Sequence, residues 1–377
     1  MISEATVLEQ KLMARIKSEG PLTFRDFMQA ALYDREHGYY NTARSKIGPE
    51  GDYYTAGNVH PAFGAVLARS FVEMWNEVSR DASERFTIVE MGAGTGRLAA
   101  DILTAIRDER PAIFDRVTYV IVELSPAMIT RQRNELARFA GRIQWRRIEG
   151  IARDPIAGIF FSNELIDAMP VHRVRLARGR IEELYVIVKP ASKPDDRERL
   201  TLMWDHPSND DLAGYVERAA APLKEGQIIE INLDAIAWLA RLSQAVGRGF
   251  LVTIDYGDLA SHLYGPDRAR GTLRSFHNHR LVDSPLERIG EQDITASVNF
   301  TALIEYGRDF GFETVSYERQ TAFLIRMGLI ERIAATEDAS GSVDDLKQLL
   351  AVKNLFVPGG VSDNFRVLIQ KRREVID

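Results

Sequence analysis

The residues best suited to chemistry lie in one stretch, Glu90-Met-Gly-Ala-Gly-Thr-Gly96. Glycines at 92, 94 and 96 allow a tight turn and let backbone approach a ligand that a Cβ would block. A helical pattern follows from about Arg97 to Arg107, so unpaired N–H groups at its start would face the same crevice. A dinucleotide fingerprint needs glycine at the sixth position of G-x-G-x-x-G, which here is Arg97. No G-x-x-x-x-G-K-[ST] pattern occurs, so a P-loop is excluded. The carboxylate of Glu90 suits a ligand that carries an ammonium group. Without further support, the stretch is equally an ordinary strand-to-helix turn of an α/β protein.

Further acids fall where such a sheet presents them to ligand. The apolar run Phe86–Met91 reads as a buried parallel strand, and Val117 to Glu123 as a second. An acid at the tip of that second strand, Glu123, can accept hydrogen bonds from a ribose diol. Ser125-Pro126 then starts a helix with good capping chemistry. Ile143 to Arg147 is a third strand, followed by Glu149 where an adenine pocket would close. Gly158 to Asn163 is a fourth strand, with Glu164 and Asp167 just beyond its end. If the chain turns helical there, these two acids share a face. Asp255 ends a fifth strand, Phe250 to Gly257, and could line the same crevice or bond the following turn. His277-Asn-His279 lacks the further clustered ligands of a metal site. No G-x-S-x-G elbow is present, which disfavours a hydrolase.

The elements that must position these groups can be read at low resolution. Residues 1–80 form a helical lead-in: a helix over 4–19 ended by Gly20-Pro21, a second N-capped by Thr23, and a third from about Pro61 to Val78. The sheet core is expected over 81–170 and 246–377. Between them, 171–245 reads as a β-rich and helical insertion that could meet substrate or partner. Residues 258–300 show little periodicity and read as a long functional loop.

With Asn163-Glu-Leu-Ile-Asp-Ala-Met-Pro-Val-His-Arg173 in view, the chain resembles the MidA-like methyltransferases: the mitochondrial complex I assembly arginine methyltransferases and their bacterial relatives. The resemblance runs over nearly the whole chain. It includes Gly20-Pro-Leu-Thr-Phe-Arg-Asp-Phe-Met28, Gly38-Tyr-Tyr40, Gly51-Asp-Tyr-Tyr-Thr55, the glycine stretch, Asp255-Tyr-Gly257 and Gly271-Thr-Leu273. It implies a class I, Rossmann-like, seven-stranded α/β methyltransferase sheet and S-adenosyl-L-methionine as cofactor. The cofactor-binding residues would be Glu90, Gly92, Gly94, Gly96, Glu123, Leu124, Glu149 and Asn163. The animal member makes symmetric dimethylarginine on a complex I subunit, so the resemblance implies a protein partner presenting an arginine. Glu164, Asp167 and Asp255 are then the candidate catalytic acids. One departure stands out: where the family commonly reads Thr-Ser-Pro-Glu, this chain has Thr55-Ala-Gly-Asn58. Methylation of a small molecule, or a cofactor-binding assembly factor without turnover, would use the same fold.

Composition limits the alternatives. The chain has 377 residues, is 45% hydrophobic and 27% charged, and carries a formal net charge of −6. That balance argues against broad nucleic-acid binding, which needs a basic face. There is no cysteine, which excludes disulfides, thiolate zinc sites and a cysteine nucleophile. No apolar run reaches membrane-spanning length, and Met1-Ile-Ser-Glu-Ala5 lacks a signal-peptide pattern. Together these features predict a cytoplasmic protein without membrane insertion. Oligomeric state is left open.

Overall fold

The computed structural model describes residues 6–41, 60–191, 197–220, 222–265, 268–278, 280–332 and 364–373. The chain divides into two compact units. One comprises Met1–Tyr53, Asp167–Ala237 and Asp258–Glu305; the other comprises Tyr54–Ile166, Trp238–Gly257 and Tyr306–Asp377.

The second unit carries the parallel sheet. Its strands are β1 (Phe86–Met91), β2 (Val117–Val122), β3 (Ile143–Trp145), β4 (Ile156–Asn163), β5 (Val246–Asp258), β6 (Phe312–Arg319) and β7 (Phe365–Arg372). They hydrogen-bond in the order β3-β2-β1-β4-β5-β7-β6. The pairs from β3 to β5 are parallel, while β7 is antiparallel to both β5 and β6. The order reverses between β1 and β4, and at such a point the crevice beyond the strand ends receives ligand.

Alternation along the strands sets what each face carries. Phe86, Ile88, Tyr119, Ile121, Ile159, Phe161, Phe250, Val252 and Ile254 form one buried cluster with helices α1 (Pro61–Val78) and α2 (Arg97–Glu109). Trp75 of α1 stacks on Phe86 with ring centroids 5.3 Å apart, and Phe71 meets Phe161 at 4.9 Å. Glu90 and Asn163 continue these same alternations at the strand ends. Helix α3 (Pro126–Glu135) follows β2; Ser125 caps it by accepting from Met128 N, with Pro126 at its first position.

The first unit begins with helices Val7–Glu19 and Phe24–Tyr33. Thr6 and Thr23 cap them, accepting from Glu9 N and Asp26 N. An antiparallel sheet runs Leu22–Thr23, Arg180–Lys189, His172–Ala177, Ile228–Ile231, with Arg199–Asp205 also paired to Arg180–Lys189. Leu8, Leu12, Phe24, Phe27, Met28, Leu184 and Val186 pack together in its core.

Two expectations differ from what is found. Residues 258–300 are not a loop: Arg274–His277 pairs with Arg280–Val282 and with Asp293–Thr295 in a three-stranded sheet. Strands of three or four residues with arginine and histidine in them are too short to leave a periodic signal. The units also cut across the expected boundaries, since residues 6–41, the 171–237 segment and 258–305 belong to one unit.

Candidate active site

At the end of β1 the chain makes its glycine turn. Gly92, Gly94 and Gly96 all have positive φ (71°, 51° and 90°). Gly96 is the left-handed N-cap of α2. A Cβ on Gly92 would stand 2.8 Å from Leu165 Cδ1, and one on Gly96 would stand 3.3 Å from Gln132 Cα. Conformation favours glycine at both positions, and at Gly96 the α3 backbone also leaves a Cβ little room, whereas at Gly92 the contact is with the flexible end of Leu165. The turn is closed by Gly96 N donating to Ala93 O at 2.8 Å and Gly92 N donating to Val122 O at 3.0 Å.

Glu90 lies one residue before the strand's last. It is 2% exposed, and Tyr119 Oη donates to its Oε2 at 2.8 Å. Burial pushes the carboxyl up to about 7, with repulsion from Glu123 adding and the Tyr119 hydrogen bond opposing. A neutral acid near pH 7, poised to ionise when a cation arrives, matches a subsite for an ammonium group.

The sign of the pH effect follows. The folded state holds the Glu90 proton up to pH of about 7, whereas the unfolded chain releases it near 4.5. Stability from this group is therefore full below 4.5 and falls as pH rises to about 7. The whole interval corresponds to about 3 kcal/mol. Denaturant titrations of wild type and Glu90→Gln across pH 4.5 to 8 should show a stability difference that grows by that order and then levels. A flat difference would refute the assignment.

Glu123 follows β2 directly and is half-buried. Its Oε1 accepts from Leu124 N at 2.8 Å and Ser125 N at 2.9 Å, and its Oε2 from Gln132 Nε2 at 3.1 Å. Leu124 is 78% exposed, an apolar side chain beside the acid and a suitable face for a flat base. Glu149 is exposed in the first turn of the short helix Ile148–Ala152, after β3.

Beyond β4 the expected helical turn is not formed. Asn163 ends the strand, and Glu164 has φ +52°, a left-handed conformation that a non-glycine residue rarely adopts. Glu164 N donates to Ile254 O at 2.9 Å, and Asn163 Nδ2 donates to Glu164 Oε1 at 3.3 Å. Asn163 Oδ1 is buried without a hydrogen-bond partner. Glu164 and Asp167 therefore do not share a helix face. Asp167 belongs to the first unit, where its carbonyl accepts from Ala296 N at 2.9 Å.

Asp255 is fully buried. Its Oδ2 accepts from Leu165 N at 3.1 Å and Ile166 N at 2.8 Å, and its Oδ1 from Tyr256 N at 2.8 Å. Three main-chain donors hold it, so it braces the 164–166 turn. The left-handed Glu164 is the outlier this bracing sustains, and such strain collects at working sites. Of the two histidines, His277 Nδ1 bonds the Glu291 carbonyl at 2.8 Å, while His279 lies outside the described residues. So do Gly51-Asp-Tyr-Tyr-Thr55 and Asn58.

The family model for S-adenosyl-L-methionine-dependent methyltransferases matches residues 66–317. The chain belongs to that family. The methyltransferase is 29% identical to a Burkholderia thailandensis protein whose description gives methyl transfer as its expected activity. That protein was crystallised with S-adenosyl-homocysteine, and the two superpose with a TM-score of 0.83 over 97% of this chain and 92% of the other. Mitochondrial protein arginine methyltransferase NDUFAF7 of mouse is 25% identical, over 92% of this chain and 80% of its own. The human protein of that name is 26% identical, over 92% and 78%. These names overturn the cytoplasmic expectation, since the relatives are called mitochondrial. Among the described residues, no helix is long and apolar enough to cross a membrane.

The methyl donor is S-adenosyl-L-methionine. The residues present suit it: left-handed glycines at the turn, a buried carboxyl at Glu90 that could take an ammonium, and a carboxylate at Glu123 that could take a ribose diol. The methyltransferase's orphaned Asn163 Oδ1 adds an acceptor beside the donor turn. Leu124 and Glu149 would be the residues toward its adenine. The bound donor supplies an activated methyl on a sulfonium, so the protein's own residues chiefly bind, align and exclude water.

Proposed function

We propose that this methyltransferase acts on the guanidinium of an arginine in a protein substrate, with Glu164 as the residue that grips it. Guanidinium is planar, protonated at any ordinary pH and a poor nucleophile. A carboxylate that accepts two of its N–H groups draws positive charge away from the attacking nitrogen and fixes its approach. Glu164 stands at the end of β4, one strand from the glycine turn, and Leu165 of the same segment packs against Gly92. The observation that carries the reading is the left-handed Glu164, held there by Ile254 O below and the Asp255-braced turn after it. Asp255 is a positioning residue in this reading. Asp167 loses the helix face that would have paired it with Glu164.

The printed names of the mouse and human relatives, protein arginine methyltransferases, support the same acceptor. A respiratory complex I subunit is the first substrate to try, as the sequence resemblance implies. The test is to incubate the protein with methyl-labelled donor and a lysate, then digest and identify the labelled residue. Label in protein-bound methylarginine is expected. Label in small metabolites alone refutes arginine as the acceptor.

A further inference from the structure

Gln132 ties together three parts of the donor side that are remote in sequence. It lies on α3, is the buried residue of that helix, and has no exposed surface. Its Nε2 donates to Gly94 O at 2.9 Å and to Glu123 Oε2 at 3.1 Å. Its Oε1 accepts from Trp145 Nε1 at 2.9 Å. Both amide donors and the oxygen are thus engaged, in a buried setting where an unmade bond is costly. Its Cα also abuts the space a Cβ on Gly96 would fill.

The consequence falls on Glu123. Leu124 N and Ser125 N fix one of its oxygens and Gln132 the other, so the carboxylate is oriented before ligand arrives. The same amide holds the carbonyl of the central glycine of the turn. We propose that Gln132 is a positioning residue for the methyl donor, setting the Glu123 carboxylate against the ribose diol and locking the glycine turn to β3. The proposal rests on the reading of Glu123 as the ribose contact.

Gln132→Glu keeps an acceptor for Trp145 but turns an oxygen towards Gly94 O and Glu123 Oε2. Gln132→Met keeps length and adds no buried charge. The measurement is the affinity of the full chain for S-adenosyl-homocysteine and for its 2′,3′-dideoxy analogue by calorimetry, with thermal unfolding of each variant. Both variants should bind S-adenosyl-homocysteine about tenfold more weakly or worse, since a bond to a charged group is lost. The dideoxy analogue, lacking the diol, should lose no more than about threefold. In Glu123→Gln/Gln132→Glu the carboxamide at 123 can donate to the carboxylate at 132. Thermal stability should recover in part there, the repulsion from Gly94 O remaining, without recovery of affinity. Equal loss for both ligands would overturn the role toward Glu123, and with lowered unfolding temperature it would mean Gln132 merely holds the fold; unchanged affinity in both variants would remove it from the donor site. Wild type that binds the two ligands alike would instead sink the ribose role of Glu123, and the proposal with it.

Discussion

Glu164→Gln is expected to lower methyl transfer to an arginine-bearing substrate by at least about a hundredfold, the scale for losing one preorganised charge at a reacting group. Affinity for S-adenosyl-homocysteine should stay within about twofold of wild type, well under the tenfold that 1.4 kcal/mol represents. The change is nearly isosteric. It keeps an oxygen able to accept from Asn163 Nδ2, so the 3.3 Å contact survives. It removes the negative charge that would hold and polarise the guanidinium. The residues that would hold the donor, Glu90, the glycine turn and Glu123, are untouched. A single-turnover assay with labelled donor, beside calorimetry on the product, separates the two effects. Wild-type turnover in the variant would remove Glu164 from the chemistry. Loss of donor affinity in proportion to turnover would make it a donor ligand instead.

Much of the donor half was legible because it is local. A continuous apolar run, a glycine turn and a helix occupy successive positions from Phe86 to Glu109, and each leaves its own signal. The same holds for Ser125-Pro126, where cap and first helical position are adjacent in the chain. The acceptor half was half legible. Residue types marked Glu164 and Asp255, but the backbone between β4 and the next element is fixed by bonds from residues about ninety positions away. Leu165 N and Ile166 N bond Asp255, and Glu164 N bonds Ile254 O. Helix spacing could not reveal that, and it wrongly paired Glu164 with Asp167.

Gln132 went unread for a related reason. Its three partners lie at 94, 123 and 145, and α3 offers no apolar stripe to mark its buried side. Other motif residues turn out to be structural within the first unit. A Cβ on Gly271 would collide with Glu230 Oε1 at 2.3 Å, and that carboxylate accepts from Thr272 N, Thr272 Oγ1 and Arg173 Nε. The recurring Gly271-Thr-Leu273 and His172-Arg173 signals therefore report on a buried polar network as well as on family.

Asp255→Ala carries the largest expected cost in stability. The carboxylate is fully buried and takes three main-chain N–H groups, from Leu165, Ile166 and Tyr256. Alanine leaves all three without their acceptor, Ile166 N in a buried position and Leu165 N and Tyr256 N in partly buried ones. The buried Ile166 N costs about 1–3 kcal/mol and the two partly buried donors about 1 kcal/mol each, so a total of about 3–5 kcal/mol is expected, a large share of an ordinary domain's stability. Asp255→Asn is the gentler probe. It retains one acceptor oxygen but turns an amide N–H towards at least one of the same donors, for an expected loss of about 2 kcal/mol. Because the turn that fails carries Glu164, Asp255→Asn should lose turnover more steeply than donor affinity, following the pattern of Glu164→Gln but with lower stability. Denaturant unfolding measured beside turnover checks both parts. Unchanged stability would mean the three bonds are not what holds the turn. Lost stability with full turnover would mean Glu164 does not depend on that turn for its work.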